Sequence, residues 1–322
     1  MPLPGESSQE MVDMHISWVR YHGRSAELSK ALNIEAVFLP DEIMRMPTLK
    51  KYMAGLAYTW AILRTRRPKT IIVMLPPAPA LLAVRLFKGR HVRLIGDLHT
   101  GFFSDKKWSW FTAIGLRALR GSTAIVTNSY LADRCRVAGV EAVVLHDVLV
   151  DRRGAPLRPN GSFILCPLSY ANDEPIRPLL LAAALTPESC YVLTGDAPAW
   201  VRDEAPANVE FTGYVDDATY SRLLGDCLAV IAITTRDFTM QRAGYEALMF
   251  GKPQITSNFP VLREFLEDAA IYVDPESGWQ LADAVAAIAK ESDRFQKQVE
   301  RVLDARIRDQ DDSLRALAAR MS

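Results

Sequence analysis

The chain has 322 residues, 49% of them hydrophobic and 24% charged, and its 38 Lys and Arg residues balance its 38 Asp and Glu residues. This is the composition of a globular protein, and the length is sufficient for two domains that each bury a core without covalent staples. No apolar run reaches the ~18–20 residues that a membrane-spanning helix needs, which excludes a helical integral membrane protein.

The first half of the chain alternates short apolar runs with helical patterns. Strands are predicted at 15–19, 35–40, 70–76, 91–97, 122–128 and 141–146, and helices from Ser25, over 43–66, after the prolines at 76, 77 and 79, over 106–119 and over 130–139. Such alternation is typical of βαβ units that build a parallel sheet buried on both faces.

A polar stretch containing Gly and Pro, residues 151–161, interrupts this pattern and is predicted to be the linker. The alternation then resumes with strands at 162–168, 190–195, 209–215, 228–234, 253–258 and 270–273 and helices at 176–185, 218–227, 240–250, 260–267, 277–289 and 292–320. We therefore expect an α/β fold of two Rossmann-like domains facing a cleft, residues 1–153 and 154–322, and the C-terminal helix is a candidate to pack back on the N-terminal domain.

The cysteines give no sign of a metal site or a disulfide framework. Cys135, Cys166, Cys190 and Cys227 are scattered singly, without the spacing of metal ligands, so we expect reduced and mostly buried thiols and no metal. Residues 1–14 have neither the basic nor the apolar region of a secretory signal, which predicts a cytoplasmic protein.

The balanced net charge hides two oppositely charged halves. Residues 1–155 carry 22 Lys and Arg against 13 Asp and Glu, a difference of +9, whereas residues 156–322 carry 16 against 25, a difference of −9. One interpretation is a basic surface that meets an anionic membrane or a phosphate-bearing acceptor. The other is an ordinary pair of solvated faces.

The most informative segment for function is 209–275. A buried strand there ends at Thr235, and a polar loop over 236–239 precedes a helix that is predicted to begin near Met240. Helix N-termini bind anions such as a diphosphate, Arg242 would add charge, and Glu246 would accept hydrogen bonds from a ribose diol. The alternative is that Asp237 or Thr239 is only an N-cap and Glu246 an ordinary surface acid.

This segment resembles the nucleotide-binding half of GT-B glycosyltransferases of the group 1 (family 4) type, which includes bacterial polysaccharide and lipid-glycan transferases. The resemblance is carried by FTGYV at 211–215, EALMFGKP at 246–253 and LRE at 262–264. It implies that Glu246 binds the ribose of a nucleotide-sugar donor, that Thr235, Asp237, Thr239, Gln241, Arg242, Gly195 and Tyr214 surround the donor, and that neither a metal nor another cofactor is needed.

The chain departs from the family pattern at the first Glu of the E-x7-E motif. Phe238 occupies that position, and the usual Gly-Phe-Gly is replaced by Thr239-Met240-Gln241, with Asp237 as a partial substitute. The loop over 169–174 also lacks the Arg and Lys that contact the diphosphate in the family. Its Asp173 and Glu174 are expected either to hold an acceptor or sugar hydroxyl or to form a charge pair at the start of the next helix.

Two loops of the first half are candidates for the reaction centre. Asp97 and His99 follow a buried strand, where an acid and an imidazole suit deprotonation of an acceptor hydroxyl; the alternative is a polar pair in a turn. Gly23 and Arg24 join the first strand to the first helix and are predicted to approach the acceptor or the sugar; an ordinary turn is the alternative.

The predicted function is transfer of a sugar from a nucleotide-sugar donor to a glycan or polyprenyl-linked acceptor in cell-surface polysaccharide biosynthesis. Basic and aromatic residues at 64–69 and 106–111 favour peripheral contact with the inner face of the membrane, although a solvated helix face with core tryptophans is the alternative. No nucleic-acid-binding motif is visible. A sugar-nucleotide epimerase and a non-catalytic two-lobed binding protein are the rival predictions.

Overall fold

The computed structural model of the protein describes residues 12–154 and 163–321. The chain divides into two compact units. The first unit consists of two stretches, the chain up to Val148 and the chain from Gln310 onward, and the second unit is the stretch between them, Leu149–Asp309. The predicted domain boundary at 153/154 lies inside the second unit, and residues 155–161 of the predicted linker lie outside the described residues.

The first unit contains a six-stranded parallel sheet in the order β2-β1-β3-β4-β5-β6. Its strands are β1 (Met14–Ser17), β2 (Glu35–Phe38), β3 (Thr70–Leu75), β4 (Arg93–Leu98), β5 (Thr123–Val126) and β6 (Glu141–Val144). Its helices are α1 (Gly23–Ala31), α2 (Asp41–Met44), α3 (Thr48–Arg66), α4 (Ala78–Phe87), α5 (Thr100–Ser104), α6 (Thr112–Ala118) and α7 (Ser129–Val137), with a 3-10 turn at Ser109–Phe111.

The second unit also contains a six-stranded parallel sheet, in the order β12-β11-β10-β7-β8-β9. Its strands are β7 (Phe163–Cys166), β8 (Cys190–Thr194), β9 (Val209–Gly213), β10 (Ala229–Ala232), β11 (Gln254–Ser257) and β12 (Ala270–Val273). The helices are α8 (Ile176–Leu185), α9 (Ala199–Glu204), α10 (Asp217–Asp226), α11 (Arg242–Met249), α12 (Pro260–Leu266) and α13 (Gly278–Lys290). The long α14 (Ser292–Met321) begins in the second unit, and its residues from Gln310 belong to the first unit.

The first sheet is covered on both faces, as its apolar strands predict. Side chains alternate along a strand, so Ile71 and Val73 of β3 pack with α3, α4, α6 and α7, whereas Ile72 packs on the opposite face with Leu28 of α1. Leu317 of α14 is fully buried on that opposite face. The carbonyl of Met321 accepts hydrogen bonds from the side chains of Thr70 and Arg93, which fixes the end of α14 in the first unit.

The order of the second sheet determines where its ligand crevice lies. Counted within the unit, the strands follow the order 3-2-1-4-5-6 of dinucleotide-binding Rossmann sheets. The chain reverses its direction of winding between β7 and β10, and ligands bind outside the carboxyl ends of the strands at such a switch point. The predicted α/β class of two Rossmann-like sheets is confirmed.

Several predicted helices have different bounds in the structure. The helix predicted over 43–66 is divided, because Pro47 caps α3 and the preceding turn ends at Met44. The helix predicted over 106–119 forms only from Thr112, and α5 follows β4 at a place where no helix is predicted. No helix within residues 12–154 and 163–321 is long and apolar enough to cross a bilayer.

Candidate functional site

The loops that follow β7 and β10 are joined at the crevice of the second sheet. The backbone N–H of Thr235 donates to the carbonyl of Asp173 at 2.8 Å, and the Thr234 hydroxyl donates to the Asp173 carboxylate at 2.7 Å. The guanidinium of Arg236 lies 3.4 Å from the other carboxylate oxygen. Asp173 and Thr235 therefore hold two loops together at the switch point.

Glu174 turns its carboxylate back into the loop between β7 and α8. The carboxylate accepts hydrogen bonds from the backbone N–H groups of Ser169, at 3.1 Å, and Ala171, at 3.0 Å, and from the Ser169 hydroxyl at 3.1 Å. The side-chain amide of Gln241 donates to the same carboxylate at 3.3 Å. Glu174 is thus satisfied by its own loop and by the residue that precedes α11.

Glu246 is held in place from two sides. The Tyr220 hydroxyl donates to one carboxylate oxygen at 2.8 Å, and Nε of Arg242 donates to the other at 3.0 Å. Burial of the Tyr220 phenol, with the negative charge of Glu246 beside it, raises the pKa of Tyr220. The phenol therefore keeps its proton at neutral pH and fixes the orientation of the carboxylate.

These groups surround a pocket of about 500 Å³ within the second unit. It is lined by residues that follow the carboxyl ends of β7, β8 and β9 and by the first turns of α10 and α11: Pro167, Leu168, Ser169, Ala171, Asp173, Glu174, Thr194, Gly195, Tyr214, Val215, Asp217, Tyr220, Gln241, Arg242, Ala243 and Glu246. The volume is typical of a small-molecule site. Four carboxylates and one guanidinium are among these lining residues, so the pocket carries a net negative charge.

The structure separates into two groups the predicted donor residues and the two residues of the second half, Asp173 and Glu174, that are predicted to contact an acceptor or a sugar hydroxyl. Those that line the pocket are Glu246, Arg242, Gln241, Gly195, Tyr214, Asp173 and Glu174. Those that lie in the β10–α11 loop, outside this lining, are Thr235, Asp237 and Thr239. Asp237 accepts from the N–H of Phe238, and the Thr239 hydroxyl donates to the Asp237 carbonyl.

The start of α11 differs from its prediction. The helix begins at Arg242 rather than near Met240, and its N-cap is Gln241, whose side chain makes no capping hydrogen bond. The alternative that Asp237 or Thr239 is the N-cap is therefore wrong, because both residues precede the cap. The Gln241 side chain instead reaches Glu174, so it joins the first turn of α11 to the β7–α8 loop.

The backbone at position 195, in the wall of the pocket, has room only for glycine. Its φ is +83°, which disfavours any residue with a side chain, and a Cβ atom at this position would lie 2.1 Å from the carbonyl oxygen of Leu168. Its N–H donates to the carbonyl of Gly213 at 2.9 Å. This close approach brings the ends of β7, β8 and β9 together.

The first unit contains a buried charged cluster centred on Asp97. Asp97 is fully buried, and its carboxylate lies 3.2 Å from Nη2 of Arg24. Arg24 also donates to the carbonyl of Leu145 at 2.9 Å and lies 3.3 Å from Asp147. Burial alone would raise the pKa of the Asp97 carboxyl, but the charge of Arg24, with His99 and His15, holds it well below its usual range.

His99 is the partly exposed member of this cluster. Its Nε2 lies 3.1 Å from the second carboxylate oxygen of Asp97, and its ring meets that of His22 edge-on at 4.9 Å between centroids. An ionised Asp97 requires the proton of His99 to be on Nε2, which leaves Nδ1 as the nitrogen that can accept a proton. Burial, and then the proximity of His99, lowers the pKa of His22 to about 4.

Gly23 and Arg24 do not play equivalent structural roles. Gly23 is the first residue of α1, after the N-cap His22, whose ring accepts a hydrogen bond from the backbone N–H of Ser25. Arg24 is only 3% exposed, and its guanidinium contacts Asp97 in β4 and the carbonyl of Leu145 just after β6. The structure thus brings Asp97, His99 and Arg24 together, and Arg24 contacts Asp97 rather than solvent.

Sequence reasoning misses three residues that these contacts identify. Tyr220 is predicted only as part of a helix, although it is hydrogen-bonded to Glu246. Ser169 is predicted only as part of an acidic loop, although it binds Glu174 through two groups. His15 is predicted only as part of a strand, whereas in the structure it is fully buried, 3.7 Å from Asp97, and both of its ring nitrogens lack a hydrogen-bond partner.

The resemblance to group 1 glycosyltransferases is confirmed by the family comparison. Residues 174–291 match the family model described as Glycosyl transferases group 1. This range begins at Glu174 and contains Gly195, Tyr220, Arg242 and Glu246. No curated protein sequence matches the chain significantly.

Solved structures with the GT-B fold match almost the whole chain. Anabaena HepE in complex with UDP has a TM-score of 0.72 at 14% identity, covering 96% of this chain and 100% of that one. A glycosyltransferase from Rickettsia africae has a TM-score of 0.69 at 12% identity, covering 95% and 97%. A putative UDP-N-acetylglucosamine 2-epimerase from Listeria monocytogenes has a TM-score of 0.62 at 10% identity, covering 90% and 91%.

Proposed function

Because residues 174–291 match the group 1 glycosyltransferase model, we propose that the protein transfers a hexose from a nucleotide-sugar donor to a glycan or polyprenyl-linked acceptor in the synthesis of a cell-surface polysaccharide. The observation that carries this proposal is the oriented carboxylate of Glu246 in the pocket of the second unit. A carboxylate fixed by two donors is preorganised to accept the two hydroxyls of a ribose.

The pocket supplies the remaining parts of a donor site. The first turn of α11, including Arg242 and Ala243, lines it, and a helix start attracts phosphate through its N–H groups and its dipole. Tyr214, which is 84% exposed, adds an aromatic surface at the rim for a base or a sugar. The complex of HepE with UDP supports a uridine nucleotide as the first donor to test.

The Asp97–His99 pair supports acid–base chemistry on the acceptor. In this proposal Nδ1 of His99 takes the proton from the acceptor hydroxyl as that oxygen attacks the anomeric carbon and the nucleoside diphosphate leaves. Asp97 is fully buried, so its role is to hold the His99 ring and stabilise the imidazolium. Arg24 keeps Asp97 ionised.

Binding and turnover assays separate this proposal from its rivals. Thermal shift and calorimetry with UDP-, GDP-, ADP- and TDP-sugars should give binding that Glu246→Ala abolishes and that Glu300→Ala, an exposed acid on α14, leaves unchanged. Product analysis with candidate acceptors then discriminates among a glycoside, an epimer and no product. The observation behind the epimerase alternative is the likeness in fold, at 10% identity, to the putative epimerase from Listeria. Absence of nucleotide binding would refute the donor assignment.

We also propose peripheral contact of the first unit with an anionic membrane. Residues 43–96 contain 11 Lys and Arg and no Asp or Glu. On the same face of the first sheet, α3, α4 and α6 pack beside one another, and large apolar side chains on and before them are exposed: Leu49, Met53, Trp60, Leu82, Leu86, Trp110 and Ile114. Cations beside exposed aromatic and aliphatic groups are typical of interfacial binding.

Liposome co-sedimentation tests this contact. The protein should bind vesicles that contain phosphatidylglycerol and not vesicles of phosphatidylcholine alone, and Trp110→Asp should weaken binding at least fivefold. Trp279→Asp in the second unit is the matched control, since Trp279 is 65% exposed and Trp110 is 66% exposed. Equal effects of the two substitutions would contradict the assigned surface.

A further inference from the structure

The loop between β7 and α8 forms an anion-binding concavity. Tyr170 adopts a left-handed φ of 55°, and the N–H groups of the residues on either side of it, Ser169 and Ala171, converge on one carboxylate. Backbone N–H groups around such a residue form a nest that binds anions. The Ser169 hydroxyl and the Gln241 amide add two more donors, so four donor groups point at one position.

The anion at that position belongs to the chain itself. Glu174 places both carboxylate oxygens among these four donors, at the wall of the pocket and beside the first turn of α11. The other groups of the pocket that can bind phosphate are the N–H groups at the start of α11 and the guanidinium of Arg242. Among the described residues that line the pocket, Arg242 is the basic one, and its Nε already donates to Glu246.

We propose that Glu174 is an internal competitor of the donor diphosphate, and this rests on the proposed function of the pocket. A phosphate group gains the N–H groups of Ser169 and Ala171 only by displacing the Glu174 carboxylate. The residue therefore sets the affinity for phosphate-bearing ligands and limits retention of the nucleoside diphosphate. The loop exchanges one anion for another, so its donors are satisfied in both states.

The surrounding structure allows this displacement. Glu174 is half-buried, and its hydrogen bonds to the loop are exposed to solvent. Helix α8 begins only at Ile176, and its N-cap Pro175 makes no side-chain capping bond, so rotation of the Glu174 side chain leaves the helix intact. Asp173 holds the loop to β10 through separate hydrogen bonds, which keeps the N–H groups in place.

Calorimetric titration of Glu174→Gln tests the proposal with UDP, inorganic pyrophosphate and uridine as probes. The neutral amide keeps one oxygen that can accept from the N–H groups but loses the negative charge, so it holds the nest more weakly, and UDP and pyrophosphate should bind about tenfold more tightly, equivalent to 1.4 kcal/mol. Uridine, which lacks phosphate, should bind as it does to the unmodified protein. Asp217→Asn is the matched control, because Asp217 lines the same pocket and is not among the acceptors of the nest.

Three results of this titration would overturn the proposal. One is that Glu174→Gln binds pyrophosphate no more tightly than the unmodified protein does. Glu174 would then be a structural support of the loop. Another is an equal gain in Asp217→Asn, which would reduce the effect to the general charge of the pocket. A gain for uridine as large as the gain for UDP would also contradict a competition for phosphate.

A second variant gives an independent readout. Glu174→Ala leaves the Ser169 and Ala171 N–H groups without their acceptor, so pyrophosphate should raise its Tm by more than it raises the Tm of the unmodified protein. Equal shifts would oppose the proposal. Failure of UDP, GDP and ADP to bind any form would refute the proposed donor site, whereas the pyrophosphate titration still decides the role of Glu174.

Discussion

Replacing Arg24 with Met tests whether the first unit depends on the charge pair beneath His99. The side chains of Arg24 and Asp97 are only 4% and 1% exposed, and the substitution removes the main positive charge that faces the carboxylate. Breaking a buried pair by removal of one partner costs about 3–5 kcal/mol, because the other charge stays buried without compensation. We therefore expect Arg24→Met to lower the free energy of unfolding by an amount in that range at pH 8.

The matched control is an exposed ion pair in which the charged atoms lie closer together than those of Arg24 and Asp97. Arg20 lies 2.7 Å from Asp41, but their side chains are 68% and 41% exposed. Exposed pairs contribute about 0–1 kcal/mol, so Arg20→Met should have little effect on unfolding. If distance rather than burial determined the energy, the order of the two variants would be reversed.

The pH dependence of the Arg24→Met effect has a defined sign. In the unmodified protein the pKa of Asp97 is depressed, so its contribution to stability is complete above about pH 4 and is lost only as the pH falls through the folded-state pKa. Without Arg24, the folded variant takes up an additional proton on Asp97 or on a neighbouring histidine. It then binds more protons than the parent, and the destabilisation should be smaller at pH 5 than at pH 8.

Urea unfolding followed by circular dichroism measures both quantities. Curves for the parent, Arg24→Met and Arg20→Met at pH 5 and pH 8 give the two differences in free energy at each pH. A loss below about 1 kcal/mol in Arg24→Met, equal at both pH values, would refute the assignment of Arg24 as the counter-charge of Asp97.

Three further predictions concern single contacts. Tyr220→Phe should weaken UDP binding about fivefold, equivalent to roughly 1 kcal/mol, because Glu246 loses one of its two orienting donors; unchanged calorimetric affinity would contradict this. Gly195→Ala should lower the Tm by several degrees, because its Cβ meets the Leu168 carbonyl; a Tm equal to that of the parent would be inconsistent with the close approach. The pKa of His15 is lowered to about 4, mainly by burial, so the unfolded chain binds a proton between about pH 6.5 and 4 that the folded protein excludes, and stability falls as the pH drops through that window. His15→Leu should reduce this loss by about 3 kcal/mol in urea unfolding, and an unaltered pH profile would exclude His15 as its source.

The order of the secondary-structure elements was predictable because strands buried on both faces are continuous apolar runs. Short helices were harder to predict. The segment of α9 is only six residues long, and the first turn of α11 is displaced by a loop with Phe238 at a φ of 58°. Local sequence does not encode that conformation, since such a φ in a bulky residue depends on its tertiary surroundings.

The sequence allowed many residues of the candidate site to be identified, but it did not show which of them contact one another. Glu246 and Arg242 lie four residues apart, and helical spacing already places them together. The contacts of Tyr220 with Glu246, and of Arg24 with Asp97, join residues separated by 26 and 73 positions. Only the sheet order brings such residues to one edge, so sequence patterns could identify the groups but not their pairing.

The return of α14 to the first sheet has a consequence for synthesis of the protein. On the face of that sheet where Ile72 packs with Leu28 of α1, the core is completed by Leu317, which is translated after the whole of the second unit. During translation the nascent first unit therefore exposes apolar surface while residues 149–309 emerge and can fold as a continuous unit. A ribosome that stalls before residue 310 would leave this surface available to chaperones or to aggregation.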